Sequence, residues 1–212
     1  MQTFDRVAIK AEARRILSLN RGPCAGAFLA IFLVQLMLTS LSAGVLGLLA
    51  SGVLMVGEAF FFLSMWRERP ITVGEMFTSL FDVGFLRKMG GMLWMEFKVF
   101  LWSLLLVVPG IIKAVGYAMT PYILAEYPDV PAMEASRLSE RMMMGHKAEL
   151  FITELSFLGW ILLSALTFGI LEVVHVGPYV YLTYAGIYDE VKRLALESGA
   201  IRPEELEGQI LS

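Results

Sequence analysis

Residues 101–129 read LWSLLLVVPGIIKAVGYAMTPYILAEYPD. Mostly apolar residues lie on both sides of Pro109 and Gly110, and polar residues follow at Glu126 and Asp129. Proline cannot donate a backbone hydrogen bond and glycine tolerates positive φ, so this pair predicts a helix break. Each side provides roughly 20 mostly apolar residues, the length that a helix needs to cross a hydrocarbon core of ~30 Å. We therefore predict a transmembrane hairpin that turns at Pro109 and Gly110.

The composition of the whole chain predicts the same class. Apolar residues make up 57% of the 212 residues and charged residues 17%, whereas soluble domains contain about 25% charged residues. The mean hydropathy is +0.68. A soluble protein with a very apolar core is the alternative, but residues 23–57 and 99–112 contain no charge. Such long uncharged runs favour an all-α membrane protein with several spans.

Several classes of function are disfavoured by the residue types. The net charge of −3 argues against a nucleic-acid partner, because phosphate binding needs clustered Lys and Arg. Cys24 is the only cysteine, which excludes an intrachain disulfide and a CxxC site. No G-x-S-x-G, P-loop or Gly-rich dinucleotide loop is present. We therefore predict no metal site, no cofactor and no catalytic residue, and we expect that the protein is not an enzyme.

The chain is predicted to have three parts: a basic, helical leader at residues 1–22, a six-span membrane domain at 23–192 and an acidic tail at 193–212. The predicted spans are residues 24–43, the segment that ends at Trp66, and residues 91–108, 112–126, 149–170 and 176–188. A cleaved signal peptide is the alternative for the first span. The charged leader is long for one and the apolar run continues past the small residues at 40–42, so a retained span is favoured.

Two of the connections are predicted to be amphipathic helices that lie in the membrane interface. Thr72 and Glu75 fit a capping box at the start of the first, which the basic and glycine residues at 87–91 are predicted to end. The second runs from Pro131 to Lys147.

These connections indicate an internal repeat. Three times a basic, glycine-containing segment is followed by an apolar hairpin, with a period of about 60 to 70 residues. We predict three helix-plus-hairpin units related by a threefold internal repeat. The alternative is that unrelated membrane hairpins resemble one another in a single sequence, and repeats do not by themselves indicate transport.

The distribution of basic residues predicts the orientation. All of the 17 Lys and Arg residues except Lys98 and Lys113 lie in the leader, the second and fourth connections and the chain from Asp189 onward. By the positive-inside rule, this bias places both termini in the cytoplasm.

Glu58 and Lys98 are the charged residues predicted deepest in the membrane. Both lie ~10–12 Å from the predicted cytoplasmic boundary on consecutive spans, at ~1.5 Å per residue. Because an unpaired charge there costs ~2.5–3.5 kcal/mol, we hypothesise a Glu58–Lys98 pair. The pair could be a proton or substrate site or a structural ion pair, and Lys98 could instead reach the headgroups beside Glu96.

Lys113 is predicted at the outer side, next to the helix break at Pro109 and Gly110, where it would meet headgroups or an anionic ligand. A candidate interaction surface is predicted at the cytoplasmic face around the helix that follows Pro131. Methionine is flexible and polarizable, which suits an adaptable surface, although burial against the bundle is the alternative. The candidate residues are Arg137, Arg141, Met142, Met143, His146 and Lys147.

Four segments carry a resemblance to a known family: PGIIKAVGYAMTPYILAEYPD, EASRLSERMMMGHKAELF, LSFLGWILLSALTFGI and PYVYLTYAGIYDEV. In this order they resemble the bacterial integral-membrane family of domain of unknown function 975, over about residues 94–191. The resemblance implies a multi-span protein of the bacterial inner membrane, without an assigned activity or catalytic residues.

The sequence therefore predicts a non-enzymatic accessory protein. Its cytoplasmic-face helices would engage membrane lipids or a protein partner. The alternative is a small transporter or channel with an intramembrane site at Glu58 and Lys98. A water-accessible cavity at both residues would favour transport.

Overall fold

The computed structural model describes residues 3–42, 44–80, 85–105 and 107–206. Within these ranges the structure is helical and contains no strand, which confirms the predicted all-α class. A short π-helix, Glu172–Val176, precedes α11. The α-helices are α1 (Arg6–Leu19), α2 (Arg21–Leu41), α3 (Val45–Trp66), α4 (Val73–Leu80), α5 (Phe85–Leu105), α6 (Val107–Tyr117), α7 (Thr120–Glu126), α8 (Ala132–Met142), α9 (Lys147–Leu155), α10 (Leu158–Leu166), α11 (Gly177–Glu197) and α12 (Pro203–Leu206).

Three helical segments of the described chain are long and apolar enough to cross a membrane: Arg21–Leu41, Leu46–Trp66 and Lys147–Leu166. The middle one is 61% buried inside the protein, against 17% and 22% for the other two. α3 is therefore the central helix, and it packs on α2, α4, α5, α7 and α11. The other two segments leave most of their apolar surface facing outward, as lipid-facing helices do.

The first hairpin, α2–α3, follows the predicted spans closely. It turns at Gly44, whose φ of +94° is a conformation that a residue with a Cβ rarely adopts. Gln35, the strongly polar side chain of α2, donates from Nε2 to the Gly47 carbonyl at 2.9 Å. This bond gives the amide a partner across the hairpin, which an apolar environment requires.

Most of the basic leader forms helix α1, and the structure shows where this helix lies. Asp5 caps the helix by accepting from the backbone N–H groups of Val7 and Ala8. Its apolar face, including Ile9 and Ile16, is buried against α11 and the core. The leader is thus packed on the bundle.

α4 begins with the predicted capping box. Glu75 N–H donates to Thr72 Oγ1 at 3.2 Å, and Thr72 N–H donates to Glu75 Oε2 at 2.6 Å. Residues 87–91 do not end this helix, because they lie inside α5, so that part of the prediction is wrong. A Cβ on Gly91 would overlap the Cβ of Ala132. Gly91 therefore belongs to the place where α5 meets α8.

The second hairpin differs from its prediction in its turn. α5 is described to Leu105 and α6 from Val107, and residue 106 lies outside the described residues. Pro109 and Gly110 lie within α6, so the helix break predicted at these two residues is wrong. The predicted fourth span is instead two helices, α6 and α7, separated at Ala118 and Met119.

Candidate functional site

Glu58 and Lys98 lie apart in the structure. Glu58 is 6% exposed within α3, next to the Tyr181 hydroxyl. Lys98 Nζ lies 3.4 Å from Ser136 Oγ of α8 and 4.7 Å from the centroid of the Tyr117 ring. The predicted ion pair is therefore not formed between these two described residues. The hypothesis depended on similar depth on consecutive spans and on the cost of an unpaired charge, and the contact of α5 with α8 gives Lys98 other neighbours.

The side chain of Lys113 also contacts α8. Its Nζ lies 2.6 Å from Glu140 Oε1, and Lys147 Nζ lies 3.8 Å from the same oxygen. A contact of this length cannot bridge a membrane, so Lys113 and Glu140 lie on the same side. The placement of Lys113 on the side opposite to α8 is therefore wrong.

Four predicted candidates thus gather around α8, and we call them the basic cluster: Lys98, Lys113, Arg137 and Lys147. Lys98 and Lys113 both lie over the ring of Tyr117, at 4.7 and 5.8 Å from its centroid. The electron-rich face of an aromatic ring attracts cations at such distances. The charges of Glu140, Lys113 and Arg137 act on Lys98. Lys147 joins this group through Glu140, which it shares with Lys113. No single stretch of sequence contains the cluster.

Small residues on one face of α8 create this junction. Ala132, Ala135, Ser136 and Ser139 are all buried, and α8 packs on α5, α6 and α7. Ser139 donates to the Gly116 carbonyl at 2.8 Å and accepts from the Met119 N–H at 3.2 Å. The hydroxyl thereby satisfies two backbone groups at the break between α6 and α7, which would otherwise be unpaired in the interior.

The methionines and the histidine of the predicted surface are buried. Met142 and Met143 are at most 1% exposed, and His146 is 8% exposed with its ring 6.0 Å from that of Phe4. Burial lowers the pKa of His146, which favours the neutral imidazole at pH 7. These residues pack the leader and the core, as the alternative to an adaptable surface predicted.

Arg141 is not part of the basic cluster and instead binds the segment that follows α11. Its guanidinium donates to the Ala200 carbonyl and to both oxygens of Glu205. Arg141 thus fastens the segment after α11 onto α8, beside a cavity of about 490 Å³ that His146 also lines.

A charge network that the sequence analysis did not identify joins the ends of two helices to the middle of a third. Arg67 contacts Glu126 at 2.9 Å and Asp189 at 2.5 Å, while Lys192 contacts Glu126 at 2.7 Å. The Tyr188 hydroxyl donates to Glu126 at 2.7 Å. Arg67 and Glu126 each follow or end an apolar helix, and this position in the sequence is the feature from which the network could have been predicted. The network ties the ends of α3 and α7 to α11.

An apolar cavity of about 440 Å³ lies between α6, α7 and α11. Its polar wall is formed by Tyr122, Tyr181, Tyr184 and Glu154, and Tyr184 donates to Glu154 at 2.5 Å. Neither Glu58 nor Lys98 lines this cavity. Among the described residues, no group of three or more His, Cys, Asp or Glu side chains could hold a metal ion.

Comparison of the sequence with known protein families gives one match. Residues 104–195 match the family described as protein of unknown function (DUF975). This part of the chain is similar to the DUF975 family. The match confirms the resemblance drawn from the sequence, and the DUF975 segment contains Lys113, Arg137, Glu140 and Lys147 but not Lys98. No curated protein and no solved structure matches the chain.

Proposed function

We propose that this protein is a non-enzymatic accessory protein of the bacterial inner membrane, which binds membrane lipids through its cytoplasmic-face helices. The six spans in three hairpins, their threefold repeat and the cytoplasmic location of both termini are part of this proposal. They are supported by the bias of basic residues and by the helix order, in which α1, α4 and α8 each precede an apolar hairpin. The second hairpin is amended so that Lys113 lies on the side of α8.

The observation that carries the proposal is the basic cluster. Cations from α5, α6, α8 and the start of α9 meet at one place beside apolar, outward-facing helices. A basic site that adjoins the hydrocarbon region is suited to lipid headgroups, and clustered basic residues on the cytoplasmic side are a common lipid signature. A protein partner at the same face is the second possibility within this accessory role.

Transport is less well supported by the geometry. It was predicted to depend on Glu58 and Lys98 facing a common water-accessible cavity, whereas Lys98 faces α8 and Glu58 is buried next to Tyr181. The observation in favour of transport is the cavity with Glu154 and the three tyrosines. Its lining is mostly apolar, which suits a hydrophobic molecule better than a hydrated solute.

The test is gentle extraction from native membranes, followed by mass spectrometry of everything that stays bound. We expect phospholipid at a defined ratio to the protein and no water-soluble solute. A retained solute without lipid would favour transport and contradict the proposal. A stoichiometric protein without bound lipid would keep the accessory role and replace the lipid by a partner.

A further inference from the structure

We propose that the basic cluster is a binding site for the phosphate of an anionic phospholipid, whose acyl chains lie in the apolar cavities on the two sides of α6. This inference rests on the proposed function and specifies the lipid and its contacts.

Charge is the first argument. Four cations of the cluster face two carboxylates, Glu140 and Glu134, so the site has an excess of two positive charges. Glu140 is shared by Lys113 and Lys147, and Glu134 pairs with Arg137 at 3.3 Å. A phosphate would supply negative charge that the protein itself does not provide, and Lys and Arg are the side chains that bind it.

Access is the second argument. The side chains of Lys113 and Lys147 are 29% and 28% exposed, and that of Arg137 is 68% exposed. The lysines are therefore held in place by the protein yet open on one side. Lysine ammonium groups keep three rotatable donors, so a phosphate can be bound without breaking the contact with Glu140.

The neighbouring apolar cavities indicate that the phosphate belongs to a lipid. A cavity of about 360 Å³ adjoins Lys147 and is lined by Ile111, Ile112, Val115, Ala148 and Phe151.

On the other side of α6, a cavity of about 370 Å³ adjoins Tyr117 and includes Val99, Phe100 and Ala118. Ile112 and Phe100 are 49% and 63% exposed, so both cavities border the outward apolar surface. A free phosphate would make no use of them, whereas two acyl chains would bury that surface.

The experiment is native mass spectrometry of the purified full-length protein, titrated with phosphatidylglycerol or with phosphatidylcholine of the same chains. We expect phosphatidylglycerol to bind more tightly. Lys98→Gln and Lys147→Gln should each reduce this preference about fivefold, since a lysine near an anionic headgroup contributes on the order of 1 kcal/mol. Arg193→Gln, which removes an exposed cation of α11 paired with Glu190 and Glu197, is the matched control and should leave the preference unchanged.

Glu140→Gln separates binding from folding. This substitution removes the carboxylate that competes with the phosphate, so it should raise the affinity for phosphatidylglycerol. If the role of Glu140 is purely structural, the substitution should only lower the stability of the protein and leave the affinity unchanged. Glu190→Gln on α11 is the control with the same change of charge.

Three results would overturn the inference. They are equal binding of the two lipids, equal effects of the cluster variants and Arg193→Gln, and displacement of the lipid by inorganic phosphate at millimolar concentration, which would indicate a free-phosphate site. If native extraction retains phospholipid but the two lipids bind equally, the proposed function stands and this inference fails.

Discussion

At the scale of single residues, Lys98 shows how neighbours decide the role of a charge. Its distance along α5 gave it the same predicted depth as Glu58, but the two side chains have different surroundings. Lys98 faces Ser136 and the Tyr117 ring, whereas Glu58 is next to Tyr181. Depth can be counted from the sequence, but the direction of a side chain depends on which helices pack together.

This arrangement predicts that Glu58 and Lys98 act independently on stability. In a double-mutant cycle of Lys98→Met and Glu58→Gln, the changes that the two substitutions cause in the free energy of unfolding, measured in mild detergent, should add within about 0.5 kcal/mol. Glu58→Gln and Tyr181→Phe, in contrast, should show a coupling of about 0.5–3 kcal/mol, because the two side chains are neighbours. A coupling above about 1 kcal/mol between Lys98 and Glu58 would restore the predicted ion pair.

Two adjacent glycines of α5 give a second prediction at this scale. A Cβ at position 91 would overlap Ala132, whereas a Cβ at position 90 would have no atom within 4 Å. Gly91→Ala should destabilise the protein by about 1–3 kcal/mol through overpacking. Gly90→Ala should be neutral or stabilising by up to about 1 kcal/mol, because alanine favours the helix. Thermal unfolding of both variants checks this, and equal effects would mean that α5 does not approach α8 closely at Gly91.

At the scale of elements, α8 is the helix that organises the candidate site. It contacts α5, α6, α7 and α11. Its buried Ser139 hydrogen-bonds the break between α6 and α7, while Arg141 binds the segment after α11. An amphipathic pattern predicted that this helix would lie in the interface, but not which helices its buried face would contact.

The contact between Arg141 and Glu205 should depend on pH. The hydrogen bond from Arg141 lowers the pKa of Glu205 from its ordinary 4.5. A carboxyl group whose pKa is lowered by folding stabilises the folded arrangement above the unfolded pKa and loses this effect as the pH falls through the folded pKa. We therefore expect residues 200–206 to be well protected at pH 7 and to lose protection below about pH 4.5.

Hydrogen exchange, corrected for the intrinsic pH dependence of amide exchange, measures this protection. Arg141→Gln should show weak protection at both pH values, and Arg193→Gln should behave like the unmodified protein. Protection that does not change between pH 7 and pH 3 would show that Glu205 has no part in holding this segment.

At the scale of the whole molecule, the Arg67–Glu126–Asp189–Lys192 network joins the ends of α3 and α7 to α11, while the apolar sides of α2 and α9–α10 face outward. Such a distribution keeps charges out of the hydrocarbon and leaves apolar surface for lipid.

The proposed topology predicts which positions react with a membrane-impermeant maleimide. Cys24 is buried, so the unmodified protein should give little background labelling. In intact cells the reagent should label Phe168→Cys, since Phe168 is 97% exposed in the predicted outer turn after α10. It should label Thr3→Cys and Ser198→Cys only after the membrane is permeabilised. Labelling of Thr3→Cys and Ser198→Cys from opposite sides would require an odd number of crossings and contradict the topology.

Much of the fold follows from the sequence, because it depends on local properties. Apolar runs of sufficient length predicted α2 and α3, and the Thr72–Glu75 spacing predicted the start of α4. The segments from Pro109 onward were sufficient to recognise the similarity to the DUF975 family. The residues of the basic cluster could also be singled out, since charges are rare in such a chain.

Only the tertiary structure decided which of those residues meet. The basic cluster combines residues from positions 98 to 147, and its formation depends on the close approach of α8 to α5 and α6. Small residues such as Gly91, Ala132 and Ser139 permit that approach, but a small residue alone does not specify its neighbour. The sequence thus determined an all-helical chain with apolar helices long enough to span a membrane. The packing of α8 determined where its charges lie, because side-chain contacts across helices depend on the geometry of the whole bundle.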